Sequence, residues 1–214
     1  MTKWIDITQP LTNDMAHWPG DTPFSFAISA TKEQTGSANV GKLTTSVHMG
    51  THVDAAYHFD NDGGTIDQLS VDIYIGKAKV IDVSSYDTIS ASVLESYDLE
   101  GVQRLLLHTS LPNNPKSFPK QLPILDPSIA PYLQLKGIFL LGVDMPSVDP
   151  VDSKTLDTHH ALEKHGVHIL ENLMLDHVAF GEYELIALPL KIVGADGSPV
   201  RAVIRPLKGG DGHE

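Results

Sequence analysis

The sequence contains no cysteine, which excludes disulfides, thiolate metal sites and cysteine nucleophiles together. Any metal must then be held by imidazole, carboxylate or water. There is no basic run either, only scattered lysines and arginines, and the net charge is −12. That balance argues against a nucleic-acid or anionic-membrane partner, because both need Lys/Arg patches. No apolar run approaches the roughly 18–20 residues of a membrane span. The start, Met1-Thr2-Lys3-Trp4-Ile5-Asp6, lacks the apolar stretch of a secretory signal, so a cytoplasmic location is expected. No Gly-x-Ser-x-Gly elbow is present, which leaves serine catalysis a weak alternative. No internal repeat is found.

What is present is mostly strand signal. At 214 residues the chain can bury a core without staples. Segments 3–8, 24–30, 42–48, 72–83, 102–109, 136–143, 183–192 and 200–206 are rich in Val, Ile, Leu, Tyr and Thr. Leu105–Leu107 and Ile138–Leu141 are continuous apolar runs, as buried strands read. Residues 42–48 and 200–205 alternate more, as half-exposed strands do. Helical patterns are short, over 90–97, 127–133 and 153–165, the last with Ser153 as N-cap and Gly166 as its stop. Residues 110–128 hold Pro112, Pro115, Pro119, Pro123 and Pro127 and read as a loop within one domain. The expectation is a strand-dominated α/β fold in a single domain over 1–207, with a flexible Gly-rich tail over 208–214.

The histidines are the unusual feature. The chain has 11, and seven fall in two short windows, 48–58 and 159–168. The first reads His48-Met49-Gly50-Thr51-His52-Val53-Asp54-Ala55-Ala56-Tyr57-His58. On a helix, His52 would lie about 40° from His48, but Asp54 and His58 would fall about 240° and 280° away. In an extended chain all four share one face at period 2. A straight strand is too long, since six residues span about 20 Å while zinc ligands sit about 2 Å from the ion. The chain must bend, and Gly50 permits it. This pattern points to a metal site with N and O ligands, His48, His52 and Asp54, and a further histidine, His58, nearby. In the second window, only one of His159 and His160 can face a given side of a helix. One of them, with a bridging Glu171, would complete a two-metal site. Glu163, His165 and His168 read as solvated, and Asp6 and Asp149 as structural or loop-capping carboxylates.

The first window resembles the HxGTHxDxPxH signature of the cyclase-like metal-dependent hydrolases. Within them, the chain is most similar to the bacterial kynurenine formamidase (arylformamidase) branch. The similarity extends through 18–23 (WPGDTP), 39–41, 153–160, 169–171, 183–190 and 198–203. It implies a β/β/α cyclase-like fold around a mixed sheet and a homodimer. It implies that His48, His52, Asp54, His159 and Glu171 hold two zinc ions per chain, His159 being favoured over His160 by its spacing to Glu171. Mn or Co are other options for such N/O sites. It implies His58 as catalytic acid/base, Trp18 as an aromatic that touches substrate, and hydrolysis of N-formyl-L-kynurenine to L-kynurenine and formate. Ala56 departs from the signature's proline. Proline is not a ligand, so the chemistry is expected to survive, while the loop before His58 loses a fixed φ. The competing readings are a related enzyme acting on another cyclic amide or lactone such as isatin, and a metal-binding protein without turnover.

Overall fold

A computed structural model describes residues 3–207. The tail expected to be flexible, 208–214, and His213 within it lie outside the described residues. The strands in chain order are β1 (Ile5–Asp6), β2 (Ser25–Ala30), β3 (Val40–Thr44), β4 (His52–Asp54), β5 (Ile75–Asp82), β6 (Thr88–Ile89) and β7 (Arg104–His108). They continue as β8 (Ile124–Leu125), β9 (Leu140–Val143), β10 (His168–Glu171), β11 (Gly181–Ile186), β12 (Gly197–Pro199) and β13 (Val203–Pro206). The helices are α1 (Lys32–Thr35), α2 (Ala91–Leu94), α3 (Ile129–Leu135) and α4 (Asp157–Lys164), with short 3₁₀ turns at Ala56–His58, Ile66–Gln68 and Val71–Ile73.

Nine strands form one mixed sheet in the order β1-β13-β11-β5-β7-β9-β10-β4-β12. The centre, β5 through β10, is parallel, and both flanks are antiparallel. Both faces of the centre are buried, which explains the continuous apolar runs. Along β7, Leu105 and Leu107 point into one core while Leu106 points into the other. Likewise Leu141 and Ile169 face the first core, and Leu140 and Leu170 the second. The first core is roofed by the helices, with Leu94, Leu133 and Leu162. The second draws Ile7 and Ile204 from one end of the sheet and Val53 from the other. The sheet therefore curls over itself. A bridge from Thr8 to Leu173 and the Met174 N–H donating to Ile7 O at 2.9 Å tie its two flanks together. A strand-dominated α/β fold with a mixed sheet and few short helices is what the pattern predicts.

Several boundaries differ from expectation. The strand expected over 42–48 ends at Thr44, because β2 and β3 pair only with each other and the chain then turns. β3 is exposed throughout rather than half-exposed, and β2 is exposed up to a partly buried Ala30. The helix expected from Ser153 begins at Asp157, after Leu156 at φ 49°. Ser153 instead accepts the Leu156 N–H at 3.1 Å, closing a turn ahead of the helix. Gly166 ends α4 at φ 67°, as expected. The strand expected from Lys136 starts at Leu140, since Lys136 and Gly137 belong to the end of α3. The proline-rich stretch is loop apart from β8, which pairs with β6.

Candidate metal centre

β4 is the axis of the site. It lies between β10 and β12, with Glu171 opposite His52 and Gly197 opposite Asp54. Period 2 puts His52 and Asp54 on one face. The turn before β4 returns His48 to that face. Gly50, at φ 63°, makes this turn, and a Cβ there would meet Leu11 at 2.6 Å. The space over β12 is equally tight, since a Cβ on Gly197 would lie 2.7 Å from the His48 ring. The first turn of α4 brings in His159, and the 3₁₀ turn Ala56–His58 brings in His58.

The six expected residues converge. Besides a rim group, His48-His58-Asp196, two inner groups of donors form, His48-His52-Asp54 and Asp54-His159-Glu171, each with ligand atoms within 4.8 Å of one another. Asp54, rather than Glu171, is the residue they share. Its Oδ1 lies 3.0 Å from His48 Nδ1 and 3.5 Å from His52 Nε2. Its Oδ2 lies 3.5 Å from His159 Nε2. Glu171 Oε2 is 3.3 Å from His52 Nε2, and Oε1 is 3.9 Å from His159 Nε2. His52, Asp54, His159 and Glu171 are all buried, whereas His160 is exposed against Phe59. Burial thus agrees with His159 as the inward-facing twin.

Each inner imidazole is held from behind. His52 Nδ1 donates to Gly50 O at 2.8 Å, leaving Nε2 as the lone pair facing the carboxylates. His159 Nδ1 donates to Asp149 at 2.6 Å. Asp149 also accepts the Thr158 and His159 N–H groups, so it caps α4 as expected and aims the imidazole as well. His48 Nε2 donates to Asp196 at 2.9 Å. Such outer hydrogen bonds orient metal-binding imidazoles. Asp196 was not picked out from sequence. It precedes β12, 148 positions from His48, and carries no local signal.

The electrostatics favour a cation. Burial opposes charge on His48 and His159, but bonds from Asp196 and Asp54 to the first, and from Asp149 and Asp54 to the second, outweigh it and hold both rings at about 10. Burial also opposes charge on Asp54, yet His159 and His48 keep it well below its ordinary value. Asp54 Oδ2 is buried and, among the described residues, has no contact of hydrogen-bond geometry, its nearest donor being the His159 ring at 3.5 Å. A buried carboxylate oxygen left that way is costly unless a cation meets it. The donor set of imidazole nitrogen and carboxylate oxygen therefore fits zinc or a similar divalent ion. His58 stands at the rim. Its ring packs on His48 at 3.9 Å, and its Nδ1 is 3.5 Å from Asp196. Burial and the His48 charge push its pKa down, so it is neutral at neutral pH.

Beside the centre an open cleft is walled by His48, Trp18, Phe118, Asn172 and Asp144. Trp18 meets Phe118 edge to face at 5.3 Å. The Ala16 N–H donates to Pro115 O at 2.8 Å, fastening the Trp18 loop to the proline-rich loop. Phe118 and Asp144 were also missed from sequence. The other singled-out residues are peripheral. Asp6 pairs with Arg201, as a structural carboxylate. Glu163 is exposed, and His165 bonds Gln134 near the surface. His168 is not solvated as expected. It opens β10, and burial lowers its pKa.

This curled mixed sheet with a clustered His/Asp/Glu centre has known counterparts. The profile of the cyclase family, described as "Putative cyclase", matches residues 5–150. The chain belongs to the cyclase family. A "Kynurenine formamidase" from Bacillus cytotoxicus is 59% identical over 206 residues, covering 96% of this chain and 99% of that protein. A protein of the same name from Bacillus anthracis is also 59% identical over 206 residues, with the same coverage. Among solved structures, a "Potential Metal-Dependent Hydrolase With Cyclase Activity" has a TM-score of 0.81 at 26% identity, covering 95% of this chain and 98% of its own. An isatin hydrolase bound to a product analogue superposes with a TM-score of 0.84 at 21% identity, over 97% of this chain and 93% of its own, and shows the shared fold.

Proposed function

We propose that the chain hydrolyses N-formyl-L-kynurenine to L-kynurenine and formate. The observation that carries this is the buried Asp54 shared by two His/carboxylate groups at the mouth of an aromatic-walled cavity. Its close similarity to relatives named kynurenine formamidase gives the substrate. His48, His52 and Asp54 would hold one zinc, and Asp54, His159 and Glu171 a second. When bound, zinc in such a site activates water and polarises a carbonyl oxygen.

The protein groups do the rest. In the net reaction water oxygen bonds to the formyl carbon, the C–N bond breaks, and one water proton ends on the departing arylamine. His58 is neutral and within reach of the centre, so it accepts that proton and returns it to nitrogen. Asp196 faces His58 Nδ1, which leaves Nε2 free for the proton transfer. Trp18 and Phe118, packed edge to face, form an aromatic wall on which the aryl ring can stack.

The proposal includes a homodimer. The β2–β3 hairpin carries Phe26, Ile28, Val40 and Leu43, all about half exposed, and lies outside both main cores. An isolated hairpin is marginal in water, so a second copy of the chain is the covering surface. No helix among the described residues is long and apolar enough to cross a membrane.

The test is formate release from N-formyl-L-kynurenine by the zinc-loaded protein, with isatin as the comparison substrate. The reading expects formate release, and expects His58→Ala to keep its zinc while losing most of it. Isatin opening without formamide cleavage would contradict the assignment.

A further inference from the structure

The cavity beside the centre is charged unequally. Asp144 is its one acidic lining residue, and no lysine or arginine lines it among the described residues. Asp144 directly follows β9, and Glu171 ends the neighbouring parallel strand β10. Both therefore sit near the carboxyl end of the parallel strands, Asp144 one residue beyond the position level with Glu171. The Asp144 carboxylate is buried. Its donors are the Thr109 N–H at 2.9 Å and the Thr109 hydroxyl at 2.7 Å. Neither carries charge.

The nearest titratable neighbour is not committed to it. His108 lies 3.4 Å from Asp82 through Nδ1 and 3.3 Å from Asp176 through Nε2. Ligand atoms of His108, Asp144 and Asp176 nonetheless gather within 4.8 Å. With Asp82, three carboxylates share a single imidazole, so the cluster behind Asp144 carries excess negative charge whichever state His108 adopts, and Asp144 is its member that lines the cavity. Burial pushes Asp144 up to about 6 against the Thr109 bonds, the mark of a carboxylate short of positive charge.

We infer that Asp144 is a specificity-determining residue that receives the ammonium group of the substrate's amino-acid side chain. This rests on the formamidase reading above and extends it to the end of the substrate remote from the reacting bond. An ammonium suits the site because it brings three donors to carboxylate lone pairs that Thr109 leaves free. With the formamide at the Asp54 centre and the ring against the Trp18–Phe118 pair on the cavity wall, the side chain runs along that wall towards β9. Ring substrates without an ammonium gain nothing from Asp144.

The test compares two ligand pairs on the zinc-loaded protein and on Asp144→Asn. For catalysis, N-formyl-L-kynurenine is set against its desamino analogue, in which hydrogen replaces the ammonium. For binding, L-kynurenine is set against desamino-kynurenine by calorimetry. The wild type is expected to favour the ammonium member of each pair. Asp144→Asn is expected to lose about 10–100-fold in kcat/KM on the ammonium substrate, mostly through KM, and almost nothing on the desamino one. Asp144→Glu, which keeps the charge, is expected to keep the preference. An equal fall on both substrates would show a structural role and overturn the inference. So would a wild type that binds the two kynurenines equally, a result that needs no variant to fold. A third metal equivalent, present in the wild type and absent from Asp144→Asn, would overturn it in favour of an ion site. A preference for L-kynurenine that Asp144→Asn abolishes, in a protein that releases no formate, would uphold the ammonium site and reject the formamidase reading.

Discussion

Single residues differ in what their loss should do. Asp54 is common to both donor groups, so Asp54→Asn should empty both, measured as zinc per chain falling towards zero after dialysis. His58 belongs to neither inner group, only to the rim group with His48 and Asp196. His58→Ala should retain zinc and lose about 10²–10⁴-fold in kcat, read from formate release. Asp149 orients His159 and also caps the first turn of α4; Asp149→Asn keeps an acceptor oxygen for that cap and should weaken zinc binding by about 10–100-fold in a competition titration while leaving the fold intact. A substitution at His160, exposed on the outer side of α4, should change neither quantity. The convergence of His48, His52 and Asp54 was legible because chemistry and period coincided: His52 and Asp54 alternate on one strand, and His48 needed only the bend that Gly50 supplies. Asp196, Phe118 and Asp144 were not legible. Each reaches the site through pairing or loop contacts far apart in sequence, and an isolated Asp or Phe in a loop looks like any other.

At the scale of elements, the apolar runs of β7 and β9 announced a sheet buried on both faces, and they sit at its centre. The exposed β2–β3 hairpin was less legible, because Val, Ile and Phe in a strand pattern ordinarily signal burial rather than a surface awaiting a partner. If it is the dimer surface, Phe26→Lys with Leu43→Glu should convert a dimer to monomers on sizing by light scattering, with the monomer still folded. The turn holding His58 offers a second check. Ala56 opens a 3₁₀ turn secured by the His58 N–H to Ala55 O at 2.9 Å and the Asp60 N–H to Ala56 O at 2.9 Å. The first position of such a turn accepts proline. Ala56→Pro should therefore raise stability by about 0.4–1 kcal/mol, a rise of a few degrees in Tm, without changing zinc content.

For the whole molecule, the metal centre links stability to pH. In metal-free protein, His48 and His159 are held at about 10, above their ordinary 6.5. A raised pKa contributes stability that is complete below the unfolded value and is lost as pH climbs through the folded one. The metal-free protein should thus lose stability steadily between about pH 6.5 and 10, seen as a falling urea midpoint in the presence of a chelator. Zinc requires both imidazoles deprotonated, so loading at neutral pH should release protons and flatten that decline. Asp54 and Asp196 have lowered values, and their contribution is lost instead as pH falls below the ordinary carboxylate range near 3.8. The central claim is that this centre hydrolyses a formamide with the help of metal. The most direct measurement is formate released from N-formyl-L-kynurenine by chelator-stripped protein as zinc is titrated back. Formate release that is absent at the start and saturates near two zinc per chain is the predicted result. Undiminished release from the stripped protein would contradict it.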